Sequence, residues 1–321
     1  TAANGLEIQV ANIDVDNGNG TQTSTGGIFL TEEDAGGALI IDRAVISNPS
    51  DSDIADISIA TTNGDLTVSG VVTTSGEGTI TLASNDSNDS ADDDLVIAAQ
   101  ITAEFGKVTL TSDNNDVLFN AGGNVTTSEG EIEVAATDSG GLITMAAGTT
   151  LNAGEGLIDL DADSNITLSE LVTTSTSDDA VNLNSVNGAI IDGAGATTDV
   201  SAANGRLNIT AETGVGSGAA LETTVSSISV TNNTSGNIEI VESDGIDVLT
   251  LDQDTAGDIR LTSAGATSVL DSGAGIVSAG DANTITIDVN GDASLTLFEV
   301  ITSNNGDITI TADDDVLLSD V

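Results

Sequence analysis

The chain is 321 residues long and carries 52 Asp and Glu against four Lys and Arg, a formal charge of -48, with no His, Cys, Trp or Tyr. The four bases (Arg43, Lys107, Arg206 and Arg260) are scattered and cannot neutralise a phosphate backbone or hold an anionic bilayer, so nucleic acid and acidic membranes are not expected partners. No run approaches the roughly 20 apolar residues that cross a bilayer, so no membrane insertion is expected, and the lack of His, Cys and Tyr argues against an enzyme.

High charge alone would suggest disorder, but 38% of residues are hydrophobic, and they alternate with Thr, Ser and Asp at the period of a strand. The chain opens on "TAANGLEIQV" and carries this alternation irregularly through residue 59. From residue 60 a phrase recurs, glycine then any residue, aliphatic, polar, aliphatic. It reads GDLTV at Gly64, GTITL at Gly78, GKVTL at Gly106, GEIEV at Gly130 and GLIDL at Gly156, then GRLNI at Gly205, GNIEI at Gly236, GDIRL at Gly257 and GDITI at Gly306. From Gly78 the spacings are 28, 24 and 26 residues. A second element follows an Asp-rich turn, as in DVLF at 116–119, LITM at 142–145, NITL at 165–168 and DVLL at 315–318. A third leads to the next glycine, as in ITAEFG at 101–106, VTTSEG at 125–130 and VSAANG at 200–205.

One repeat is therefore three short strands and three turns in roughly 24 residues, too small to bury its own aliphatic side chains. Stacked repeats bury them, each strand bonding to the coils above and below. The pattern predicts an all-β fold, a parallel β-helix (β-solenoid) of about 13 coils, as one domain over 1–321 with less regular repeats at 1–59, regular ones at 60–321 and uncapped ends. The recurrent Gly would serve a positive φ or a close backbone approach. Phe29, Phe105, Phe119 and Phe298 lie in apolar contexts and read as core fillers. An array of immunoglobulin-like modules would need units of about 100 residues with a core aromatic, against a far shorter period here.

The phrase GDITITADDDVLLS at 306–319 and its relatives resemble the repeats of filamentous-haemagglutinin-like bacterial exoproteins, over most of 60–321 and more loosely over 1–59. The resemblance implies a right-handed parallel β-helix, secreted, displayed at the cell surface and used in adhesion or matrix building. Residues 1–59 do not match that family's secretion domain, and the sequence names no export route.

Acidic residues gather at the turns. Hard oxygen donors on flexible turns suit Ca²⁺, the one cofactor this composition favours. The candidate ligands are Asp86, Asp89, Asp92, Asp93 and Asp94 in the insertion at 83–94, the pair Asp161 and Asp163, and the run Asp313, Asp314 and Asp315. None fits an EF-hand loop, and a solvated acidic face explains each run as well. Like charges stacked about 4.8 Å apart repel, so the fold is expected to favour a salty or divalent-rich medium.

A solenoid has two open ends. The tail "GDITITADDDVLLSDV" contains a first and second strand and stops at the Val that elsewhere starts the third, while the head "TAANGLEI" echoes the internal "SAANGRLNI". The head of one copy would complete the coil begun by the tail of another, through Thr1, Ala2, Asn4, Gly5, Leu6, Ile8 and Val10 on one side and Val316, Leu317, Leu318 and Val321 on the other. The partner would be the chain itself, head to tail, as a homopolymer or as covalent tandem units, with a matrix polysaccharide or a host surface as further partners. The expected function is an extracellular or cell-surface structural repeat protein that forms a long acidic fibre. The alternative is a stalk segment of a large bacterial adhesin that presents a binding tip.

Overall fold

A computed structural model describes residues 6–17, 26–33, 37–47, 55–86, 93–193, 195 and 197–319. They form β-strands and, among the described residues, no helix. The fold is a parallel β-solenoid of about 12 turns, about 24 residues each. That is one turn fewer than the spacing predicts, because several intervals between the recurrent glycines exceed 24 residues, as in the 28 from Gly78 to Gly106. Two compact units are distinguished, Thr1–Ser164 with Leu171–Thr173, and Asn165–Glu170 with Thr174–Val321.

In the first unit three columns of aliphatic side chains explain why the repeat folds. Ile28, Ile57, Ile80, Val108, Ile132 and Ile158 stand in register on successive parallel strands. Leu39, Leu66, Leu95, Val117 and Ile143 form the second column. Ala44, Val72, Ile101, Val125 and Leu151 form the third. All are fully buried except Ile28, at 5% exposure. Burying each Val, Ile or Leu stabilises the fold by roughly 1.5–3 kcal/mol, and alternation places the intervening Thr, Glu and Asp outside.

The glycines of the recurrent phrase answer to crowding. A β-carbon on Gly106, Gly130 or Gly156 would collide with the carbonyl oxygen of the glycine one coil earlier, Gly78, Gly106 and Gly130 respectively. None of these has a positive φ, whereas Gly64 does, at 117°. Corner carbonyls are satisfied from within. The buried hydroxyls of Thr61, Thr127 and Thr173 donate to the carbonyls of Gly64 (2.7 Å), Gly130 (2.5 Å) and Gly156 (2.6 Å).

In the second unit the columns run Ile238, Ile259, Ile285, Ile308, then Ile246, Thr267, Leu295, Val316, and Val230, Leu251, Ile276, Ile301. Two strands are longer than the repeat predicts, Val200–Ala211 and Leu221–Asn232, each 12 residues. They run through the corner expected at Gly205 as a register shift between Ala202 and Arg206, so the third element of one coil and the first of the next are continuous. Buried amides line another corner. The Asn232 side chain donates to Gln253 Oε1 (2.7 Å) and to the carbonyls of Ser235 (2.9 Å) and Gly236 (3.0 Å), and accepts from the Gly214 N–H (2.9 Å).

The aromatic expectation holds for one residue of four. Phe119 is buried at 1% exposure and lies on an inward position of Val117–Phe119. Phe29 and Phe105 are half-buried, and Phe298 is 39% exposed. The pleat decides this: Phe29 follows the inward Ile28, and Phe298 follows the inward Leu297, so each ring faces out despite its apolar neighbours.

Candidate functional site

The closest gathering of chemical groups lies in the second unit. Strand Ile190–Asp192 ends on Asp192, Asp199 immediately precedes strand Val200–Ala211, and Glu222 is the second residue of Leu221–Asn232. Parallel pairing of Val200 with Thr223 sets Asp199 beside Glu222 on adjacent coils. The Asp199 N–H donates to the Glu222 carbonyl (2.8 Å), and the Glu222 N–H donates to Asp199 Oδ2 (2.9 Å). Asp192 Oδ1 accepts from the Gly195 N–H (2.8 Å). One carboxylate oxygen from each of the three residues lies within 4.8 Å of the other two.

The electrostatics of this cluster are unfavourable as it stands. Asp199 is fully buried, and its Oδ1 and the buried Oε2 of Glu222 lack hydrogen-bond partners. Burial pushes the Asp199 carboxyl up to about 8, against the pull of the Glu222 backbone N–H, and the carboxylates of Asp192 and Glu222 push it the same way. Burial also raises Glu222, with the charge of Asp192 adding to it. Three hard oxygen donors in this state suit either a hard cation or a shared proton.

The acids singled out from the sequence lie elsewhere. Within the insertion at 83–94, Asp86 and Asp93 are buried at 6% and 7% exposure, Asp94 is half-buried, and Asp89 and Asp92 lie outside the described residues. Asp161 sits on the outward face of strand Ile158–Ala162 rather than in a turn. Asp163 follows that strand and accepts from the Gly140 N–H (2.7 Å). Asp313 accepts from the Gly291 N–H (3.0 Å), Asp314 from the Ser294 hydroxyl (3.0 Å), and Asp315 is exposed beside them. Among the described residues the structure brings no three of these acids to a common ligand distance; it does so for Asp192, Asp199 and Glu222. No signal in a single sequence joins residues 23 positions apart at a corner, where the inward–outward alternation breaks down.

The residues expected at the ends form outer strands. Leu6–Ile8 pairs with Leu30–Glu32, leaving Leu6 65% exposed, Ile8 half-buried and Val10 exposed. Val316–Leu318 pairs with Leu295–Leu297, and Ile308–Ala312 with Ile285–Val289. Ile308 is 43% exposed, Val316 47% and Leu318 72%, whereas their partners one coil earlier in the same columns, Ile285, Leu295 and Leu297, are buried. Among the described residues these last strands have a ladder partner on one side only. Thr1, Ala2, Asn4, Gly5 and Val321 lie outside the described residues.

Three of the four bases are held by acids: Arg43 by Asp14 and Asp16 (2.9 and 2.8 Å), Lys107 by Glu131 and Glu133 (3.0 and 2.7 Å), and Arg206 by Asp178 (2.9 Å). Among the described residues no helix is long and apolar enough to cross a membrane. Comparison with protein-family models, curated proteins and solved structures finds no match.

Proposed function

We propose that the chain is an extracellular structural repeat protein whose solenoid continues, coil on coil, into a long acidic fibre, with a second copy supplying the next coil head to tail. The observation that carries this reading is the outer coil of the second unit. Among the described residues it presents unpaired ladder groups beside Ile308, Val316 and Leu318, all 43–72% exposed, in columns that are buried one coil earlier at Ile285, Leu295 and Leu297. An edge of this kind is a template for strand addition. Covering each of these side chains is worth roughly 1.5–3 kcal/mol before the cost of association. Leu6 and Ile8 lie on the outer strand of the first unit, with the exposed Val10 just beyond it, and a contact between two different edges does not close on itself, so it propagates. Acidity and the likeness to filamentous-haemagglutinin-like repeats support placement at a cell surface or in a matrix. That likeness also favours the second reading, an adhesin stalk in which further residues of the same polypeptide supply the next coil.

Electron microscopy of the purified 321-residue chain, in 0.15 M salt with chelator and again with millimolar Ca²⁺, tests the first reading. Continuous filaments are expected, and Leu318→Lys, which puts a charge on the joining edge, is expected to abolish them while leaving the circular dichroism of the chain unchanged. Isolated particles of single-chain mass in both conditions would overturn self-assembly and leave the stalk.

A further inference from the structure

We infer that Asp192, Asp199 and Glu222 form a binding site for one Ca²⁺ ion between adjacent coils of the second unit.

The geometry fits that ion. Oxygen ligands stand 2.3–2.6 Å from Ca²⁺, so opposite ligands of one ion are about 4.8 Å apart, and one oxygen from each of the three carboxylates falls within that span. Mg²⁺ demands near-ideal octahedral geometry and gives up its waters reluctantly, so a site whose central carboxylate is fully buried suits it less well. What sets this cluster apart from the other acidic groupings among the described residues is that three carboxylates meet at ligand distance and the fully buried one keeps an oxygen without a donor. Asp199 is fully buried, and its Oδ1 has no partner; the buried Oε2 of Glu222 has none either. A carboxylate oxygen shut away from water without a donor is costly. Among the described residues no basic side chain forms an ion pair with Asp199 or Glu222. A divalent cation supplies the missing partner to both oxygens at once.

The donors are also held in place. The second oxygen of Asp199 is fixed by the Glu222 N–H, and one oxygen of Asp192 by the Gly195 N–H. Asp192 and Glu222 are half-buried, which leaves a route from solvent and room for water in the remaining coordination positions. By contrast the run Asp313–Asp315 is exposed, and its solvated oxygens gain little from an ion.

Equilibrium dialysis against radioactive Ca²⁺ in 0.15 M NaCl at pH 7.5 counts ions per chain whatever the state of assembly. The other acids bind weakly and diffusely, and the salt suppresses that background. The wild-type chain is expected to show one saturable site that Mg²⁺ displaces only at a concentration at least about tenfold above that of Ca²⁺. Asp199→Asn and Glu222→Gln are each expected to weaken it by about tenfold or more, as is Asp192→Asn, which alters no buried group. A chain with Asp313, Asp314 and Asp315 all changed to Asn is expected to bind as the wild type does. No saturable site up to about 10 mM Ca²⁺, a thousandfold above the weak end of sensor-class affinities, would overturn the site and leave a shared proton on the pair. Unchanged binding in Asp199→Asn, Glu222→Gln and Asp192→Asn would overturn it as well.

Discussion

Glu242 shows what one residue contributes to the pH response. It is 1% exposed; its Oε2 accepts from the Thr223 hydroxyl (2.8 Å) and the Val225 N–H (3.1 Å), and its Oε1 accepts from the Asp244 N–H (3.2 Å). Burial still pushes the carboxyl from 4.5 up to about 8; the Thr223 hydroxyl and the backbone donors pull it down, and the Asp244 carboxylate adds to the rise. Between those two values the unfolded chain has lost this proton and the native chain keeps it, so stability is full below pH 4.5 and falls as pH rises to about 8. Glu242→Gln keeps the shape and removes the titration. Its melting temperature is expected to match wild type near pH 5 and to exceed it by roughly 5 °C at pH 9. Thermal denaturation across that range checks it, and parallel curves for the two proteins would refute the assignment. The inward position of this acid was legible, since Ile238, Ile240 and Glu242 alternate in one strand. It was hidden by composition: among 52 acids each one reads as solvated.

At the scale of the element, the glycine phrase marks where strands begin but not which column they join. The strands after Gly78, Gly106, Gly130 and Gly156 share one column, as the even spacing suggests. The strand after Gly64 opens a different one, where Leu66 stacks on Leu39 and Leu95. The reason is that any corner entering a strand crowds the coil beside it, so the same residue serves all corners. Fused corners were invisible for a related reason: the bulge at Ala202–Arg206 keeps the composition of a turn. So did the amide corner of the second unit. Asn232 is fully buried and joins four partners there, so Asn232→Ala strands the Gly214 N–H and Gln253 Oε1 without replacements. That change is expected to cost roughly 3 kcal/mol, read as a lowered urea midpoint with unchanged slope. Thr231→Ala, one position along on the outward face, is expected to stay within about 0.5 kcal/mol. A midpoint for Asn232→Ala equal to that of Thr231→Ala would show that the amide network contributes nothing.

For the whole molecule the governing quantity is charge. Folding stacks outward acids on adjacent coils, as where Glu133 lies in register with Asp159. Asp159 is raised to about 6, first by burial and then by Asp161, Glu131 and Glu133, while Lys107 opposes them. Ion pairs cannot offset repulsion on this scale, because four bases face 52 acids and the exposed pairs they form are worth at most about 1 kcal/mol each. Added salt therefore has two opposite effects. It weakens the few attractive pairs, and it screens the many repulsive ones as the Debye length shrinks from about 30 Å at 0.01 M to about 3 Å at 1 M. Compaction brings the acids closer than in the unfolded chain, so the second effect dominates and the native state gains. The melting temperature in chelator at pH 7.5 is expected to rise by about 5–10 °C between 0.01 M and 1 M NaCl. Chelator keeps bound Ca²⁺ out of this comparison, and choline chloride is expected to act as NaCl does, since screening depends on ionic strength. A melting temperature that falls with salt would mean that the ion pairs of Arg43, Lys107 and Arg206 outweigh the repulsion among the acids, and the expectation of a salty working medium would fall with it.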